Sequence, residues 1–588
     1  MFHGAVDLDV LRVMMAWEEA DVQSLGDACV ATGLATPDRH NHLTLNPALC
    51  PYLRAELDEA ERQDWGARWV SAMGVYVTFL VQQQSQQAEV AAALTQFELA
   101  NLFALLDAVQ RASDPAATID LATSLYALLQ MLGKPRLVEQ VGQVRDAAAV
   151  VLGSSWSHAA FEAHRTKVEQ QLGSGRLAES LHGAQALQAR ATVAGEQAYP
   201  DADYDQAAAC WLLGRVMNVA GAAEPALPWL DLARQRFEAV AKAKPNRAAE
   251  GMASASIAQT GNCLLDLGRL GEAATAYEEA IRRSKALGRE RDVAMVQFQL
   301  GTVRLFQRLF PEALATYAEA RKQLIELDEP ATVAALWHQT GMAYQEAKQP
   351  EAAEQAYGKS LAIAVQLKNV PGQASTLCQL GNLYDIVLGR PKEAIAFYRQ
   401  AAVRYEALND SAGEGTTRSN LALALCKLRR LDEARQEIHR AIECKRPFGH
   451  AAAPWTTWAI LADIETGAGN TVDAVQARGQ ARAAYLAYRR DGGENQYTNG
   501  RIANDLRQRL LAGEQSGAAE FVVELVAPPD PPPWAIPFVT ALQAIVAGSR
   551  DPVLADAPEF SYDTAAEILL LIETLNNASG PSVQMQQP

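Results

Sequence analysis

LWHQTGMAYQEAKQPEAAEQAYGKSLAIA, residues 336–364, is the stretch that decides the fold. It places a small residue, Gly341, twelve positions before Ala353, with Tyr357 four further on and Ser360 three beyond that. Positions i, i+4 and i+7 share one face of an α-helix, so Ala353, Tyr357 and Ser360 face the same way. Small residues let two helices cross closely, and a tyrosine fills the space beside the crossing. The pattern therefore predicts a helix hairpin, and it recurs. Gly261, Gly301, Gly341, Gly381, Ala422 and Ala462 are spaced by 40, 40, 40, 41 and 40 residues. Ala273, Ala313, Ala353, Ala394, Ala434 and Ala474 stand twelve residues later, thirteen in the fourth unit. Tyr277, Tyr317, Tyr357 and Tyr398 come next, with Ile438 and Arg478 in the last two units. Ala280, Ala320, Ser360, Ala401, Ala441 and Ala481 close the pattern. The turns repeat too, as GRLGEA, QRLFPEA, AKQPEAA, GRPKEA and RRLDEA. Each puts proline or an acidic residue in the first turn of the second helix, where a missing N–H is harmless and negative charge meets the helix dipole.

The same stretch ends in Gly358-Lys359-Ser360, the close of a phosphate-binding loop G-x-x-x-x-G-K-[ST]. The repeat explains it otherwise. The first glycine of such a loop would stand at 353, which is alanine, and no strand precedes it. A strand–helix junction is needed to wrap backbone N–H groups around phosphates. Instead Trp337, Thr340, Gly341 and Tyr344 with Ala353 and Tyr357, and Leu380, Gly381 and Tyr384 with Ala394, Tyr398 and Ala401, resemble the tetratricopeptide repeat. The 40-residue period is similar to the longer variety of kinesin light chains and bacterial signalling ATPases. The resemblance implies an all-α superhelical solenoid. Another unit surrounds Gly214 and Ala226, and a weaker one Ala178, so the array is expected over 159–511, with clear units from about 205 to 490. Such units bury a core only by stacking on neighbours.

The flanks differ. In residues 1–58, VDLDVLRVMMAW reads as a helix, DVQSLGDACVATGLAT as a second ending at Gly33, and His42–Leu45 as part of a short strand pair before Pro47 and a further helix. That order predicts a small winged-helix-like domain, followed by a helical connector over 59–155. Glu98-Leu99-x-Asn101-Leu102-x-x-Leu105-Leu106 resembles the helix after the winged helix in STAND-type (NB-ARC-like) signalling ATPases. LNPALCPYLRAEL resembles their H-P-x-L-x-x-Y segment, with Asn46 in place of the histidine. In that family an ATPase core precedes this part and a repeat array comes after it as the sensor arm. No Walker A or Walker B motif occurs here, so the nucleotide chemistry does not carry over, and the resemblance implies a regulatory arm whose ATPase is encoded separately or missing. After the array, 512–533 reads as a proline-rich linker, 534–575 as a helical hairpin and 576–588 as a disordered tail.

Composition narrows the function. The 588 residues carry a formal net charge of −17, which argues against broad binding to nucleic acid or anionic lipid. The start, MFHGAVDLDV, has no signal-peptide pattern, and no apolar run is long enough to span a membrane, so the expected compartment is the cytoplasm. Seven scattered cysteines without C-x-x-C predict neither a disulfide framework nor a zinc ribbon. His40 and His42 with Asp38 lack a third ligand at a recognisable spacing, so no metal site is assigned. Hydrolase motifs are missing, no cofactor is called, and the chain reads as non-enzymatic. The expected function is that of a scaffold or sensor binding a protein or peptide on the first helices. By resemblance the groove contacts are Asn262, Asp266, Phe298, Thr302, Phe306, His338, Gln345, Glu346, Asn382, Asp385, Ser419 and Lys427. Asn382 occupies a place where asparagine commonly bonds a peptide backbone. Cys378 and Ser419 stand where a carboxylate-clamping groove uses Lys or Arg, which argues against a C-terminal carboxylate ligand.

Overall fold

The computed structural model describes residues 2–3, 5–38, 41–46, 56–86, 88–132, 134–152, 156–495, 497–525 and 535–578. The chain forms two compact units, Met1–Val303 and Arg304–Pro588.

The first unit begins with three short strands, β1 (Ala5–Asp7), β2 (Ala35–Pro37) and β3 (His42–Leu45), in the antiparallel order β1-β3-β2. Two helices, Leu8–Met15 and Glu19–Ala31, lie between β1 and β2. The first helix starts later than the apolar pattern alone suggests because Asp7 caps it, accepting from the N–H groups of Asp9 and Val10. Residues Ala5–Asp7 are thus left to pair with β3. Gly33, at φ +72°, turns the chain out of the second helix, as its sequence position indicates. Pro47 and the expected helix after it, with the LNPALCPYLRAEL resemblance and Cys50, fall largely on residues 47–55, outside the described residues, as does His40.

The motif around Glu98 fastens this sheet to the helices after it. Glu98 and Asn101 are both fully buried. Asn101 donates to Glu98 (2.6 Å) and accepts from the N–H of His3 (2.5 Å). The other oxygen of Glu98 lies 3.1 Å from His42 Nε2 on β3, and Asp7 lies 3.6 Å away from the same nitrogen. His42 is therefore a core group rather than a surface ligand. Helices 59–86, 88–97, 99–111 and 115–131 close over a core that includes Trp69, Met73, Leu105 and Leu125.

From His158 onward the chain is a series of helix hairpins. Their second-helix packing residues are Tyr277 in the first unit and Tyr317, Tyr357 and Tyr398 in the second, all fully buried with the paired alanines. An added Cβ at Gly261 would sit 2.6 Å from the Tyr277 ring, and one at Gly341 2.6 Å from the Tyr357 ring. The helix pair therefore closes only around glycine. Gly358, Lys359 and Ser360 lie inside the helix Pro350–Gln366. Ser360 is buried, and Lys359 Nζ sits 4.1 Å from the Trp337 ring centroid.

The first helix of each hairpin gives way to a left-handed residue, five positions before the next packing alanine: Gly268, Arg308, Lys348, Gly389 and Arg429. Between Gly381 and Gly389 one helix departs from its neighbours. Leu383–Val387 forms a π-helical turn, and this turn absorbs the thirteenth residue of the fourth unit.

The C-terminal end corrects two boundaries. Residues assigned to the linker from 512 include a helix, Gln515–Glu524, because Ala518 and Val522 bury against Phe538, Leu542 and Ile545. The last helix runs Tyr562–Ala578, past the expected end at 575, and packs on the helices Thr471–Arg490 and Thr498–Leu511. The proline-rich segment 526–534 and residues 579–588 lie outside the described residues.

Candidate partner-binding face

The expected groove residues sit on the first helices of the hairpins, and most are already part of local networks. In the first unit Asn262 donates to Gln259 (3.0 Å) and accepts from the buried Tyr277 hydroxyl (2.7 Å). Asp266 is exposed and accepts from Asn218 (2.9 Å). Phe298 is half-buried, and the Thr302 hydroxyl donates to the Phe298 carbonyl (3.3 Å).

In the second unit Asn382 repeats the arrangement of Asn262. It donates to Gln379 (3.2 Å) and accepts from the Tyr398 hydroxyl (2.9 Å), and its oxygen also accepts from Asn420 (3.1 Å). Asp385, carried by the π-turn, is buried with one oxygen 2.8 Å from Lys427 Nζ; its other oxygen has no hydrogen-bond partner among the described residues. Burial with the Asp385 carboxylate nearby pushes the Tyr398 phenol up. Beside this pair the π-turn exposes Ile386 (71%) and part of Val387. His338 bonds Thr376 through Nδ1 (3.1 Å) and packs edge-on to Tyr357. Burial pushes its imidazole down to about 4, so it is neutral at pH 7. Gln345 accepts from the Tyr357 hydroxyl (3.3 Å), while Glu346 and Phe306 are exposed. Ser419 is the exception. It is buried and its hydroxyl donates to the Gly415 carbonyl (2.8 Å), which removes it from any contact surface.

The structure brings Asn382, Asp385 and Lys427 together and adds Gln379 and Asn420, which the repeat pattern does not single out. A signal for them exists in the sequence. Two residues before the small crossing residue stands a side-chain amide in five of the six repeats, Gln259, Gln299, Gln339, Gln379 and Asn420, whereas the sixth has Ile460. All five are half-buried. Within each compact unit the first helices thus repeat an amide at the period of the fold.

Family models described as tetratricopeptide repeat match residues 332–407 and 415–446. The array carries tetratricopeptide repeats. Among solved structures, a STAND protein with a tetratricopeptide repeat sensor from Pyrococcus horikoshii shares 11% identity at a TM-score of 0.52. The match covers 77% of this chain and 62% of that one, so the likeness spans under two thirds of that protein. BtubC from P. vanneervenii shares 22% identity over 41% of this chain and 92% of its own, at a TM-score of 0.34. The apo form of RapI shares 12% identity over 64% and 98%, at 0.43. At 11% identity the likeness to the STAND protein is one of fold. No curated protein matches the sequence.

Among the described residues, no group of three or more His, Cys, Asp and Glu side chains could hold a metal ion. Among the same residues no single helix is long and apolar enough to cross a membrane.

Proposed function

We propose that this chain is a non-catalytic interaction module whose first-helix face binds an extended segment of a partner protein. The recurring amide at 339, 379 and 420 in the second compact unit carries the reading. Half-buried amides offer both a donor and an acceptor, which suits a peptide backbone running along the helices. In the same unit Phe306, with Ile386 beside the Asp385–Lys427 pair, would supply apolar and charged contacts for side chains. The test is affinity purification with crosslinking from the native cell. Wild type is compared with an Asn382→Ala, Asp385→Ala variant and with an Asn382→Ala, Asn420→Ala variant. The reading expects a specific partner that both variants lose; a partner retained by both refutes it.

A second reading makes the chain a regulatory arm acting with a separately encoded signalling ATPase. The observation that favours it is the N-terminal three-stranded sheet clamped by Glu98 and Asn101 at the motif that resembles those ATPases. Crosslinks from residues 5–111 to a P-loop protein support it; crosslinks to that region from no such protein count against it.

A further inference from the structure

Away from the first-helix face, a pocket of about 600 Å³ opens where the helix Thr471–Arg490 ends, beside the helices Thr498–Leu511 and Tyr562–Ala578. That volume lies within the roughly 300–1,000 Å³ of small-ligand sites. Its walls are polar and include Arg490, Arg507, Asn495, Asn504, Glu573 and Asn577.

One wall is held firmly. Gly492, at φ +88°, reverses the chain after the helix. Arg489 bonds both the carbonyl of Gly493 and the buried Glu567, the latter at 2.7 Å. Glu567 also accepts from the Tyr485 hydroxyl at 3.1 Å. Arg490 is matched by Glu573.

Arg507 is not matched in this way. Its guanidinium donates to Asn504 (2.5 Å), no carboxylate pairs with it among the described residues, and its buried Nε has no hydrogen-bond partner among them. Asn495, also on the pocket wall, has a buried Oδ1 that packs against Gly500 and likewise has none. Native structures seldom leave buried polar groups unpaired, least of all on a charged side chain. A small rotation of the arginine stem would turn Nε and a terminal nitrogen onto an oxyanion as a bidentate fork. We propose that this pocket binds a small organic anion, its carboxylate or phosphate oxygens on Arg507.

The test is isothermal titration of the full chain with citrate, glucose 6-phosphate, inorganic phosphate and neutral glucose. Two variants accompany it. Arg507→Gln removes the cation. Asn577→Trp occludes the pocket from an exposed rim position in the last helix, so it remains informative if the first variant unfolds. The expected result is binding of citrate or glucose 6-phosphate, none of glucose, and a loss of roughly tenfold or more in affinity in each folded variant. Citrate alone assigns a carboxylate, glucose 6-phosphate alone a phosphate, and both assign the shared oxyanion. Binding of inorganic phosphate only, binding that neither variant weakens, or no binding at millimolar concentration overturns the proposal.

Discussion

Gly341 and Gly358 lie in the two helices of one hairpin, and alanine should act oppositely at the two. Both are helix-interior glycines, so on propensity alone each Gly→Ala gains about 1 kcal/mol. At Gly358 nothing lies within 4 Å of the new methyl, and the gain stands. At Gly341 the methyl would meet Tyr357 Cδ1 and Cε1 at 2.6 Å and Cγ at 2.9 Å. Tyr357 is fully buried, bonded to Gln345 and packed against His338, so its ring has little room to retreat. Overpacking of this kind costs about 1–3 kcal/mol, which exceeds the propensity gain. The expectation is net destabilisation by about 1 kcal/mol for Gly341→Ala and stabilisation by about 1 kcal/mol for Gly358→Ala. Repeat arrays open locally, so the assay is native-state hydrogen exchange on peptides from helices 330–346 and 350–366, with urea unfolding of the full chain alongside. Equal increases in protection from both substitutions would refute the claim that close crossing, rather than chance, selects glycine at 341.

Three more outcomes rest on single side chains. In the folded chain His338 stays neutral to about pH 4, whereas the unfolded chain takes up a proton below about pH 6.5. Stability should be full above pH 6.5 and fall by about 3 kcal/mol as pH drops to 4; His338→Gln should flatten that part of a urea-midpoint-versus-pH curve. Lys348 turns the chain between the two helices of its hairpin at φ +58°, a conformation that costs a side chain about 1 kcal/mol. Lys348→Gly should therefore raise the urea midpoint, and a lowered midpoint would count against strain there. Lys427→Met leaves the buried Asp385 carboxylate without its cation. It should cost about 1–3 kcal/mol, and adding Asp385→Leu should recover part of it in a double-mutant cycle.

The hairpin array is legible in the sequence because its core is periodic: Gly, Ala, Tyr and Ala recur wherever two helices cross, and burial goes with the crossing. The amide recurrence is equally visible at Gln259, Gln299, Gln339, Gln379 and Asn420, but a half-buried polar residue carries no packing signature, so the core pattern does not point to it. The N-terminal strand is not legible. Ala5–Asp7 is three residues long and runs into an apolar helix, and only its pairing with β3 separates the two. The helix Gln515–Glu524 is hidden by its shortness, since ten residues with two buried positions barely differ from a linker.

The fourth unit tests how far spacing alone can be pushed. The one residue by which its spacing from Gly381 to Ala394 exceeds the usual twelve would ordinarily be assigned to the interhelix turn, where an insertion disturbs least. Yet the left-handed residue stands five positions before the alanine in this unit, as at Gly268 and Ala273, at Lys348 and Ala353, and at Arg429 and Ala434. The turn therefore keeps its length, and the surplus residue must lie upstream, inside the first helix. A π-turn is how a helix accommodates one extra residue without losing its ends. Each added residue would otherwise rotate the rest of the helix by about 100°. The Leu383–Val387 turn takes up that rotation locally. It buries Asp385 toward Lys427 and leaves Ile386 exposed, on the first helix whose Asn382 joins the amide network. The residue that breaks the repeat thus gives one unit a surface its neighbours lack.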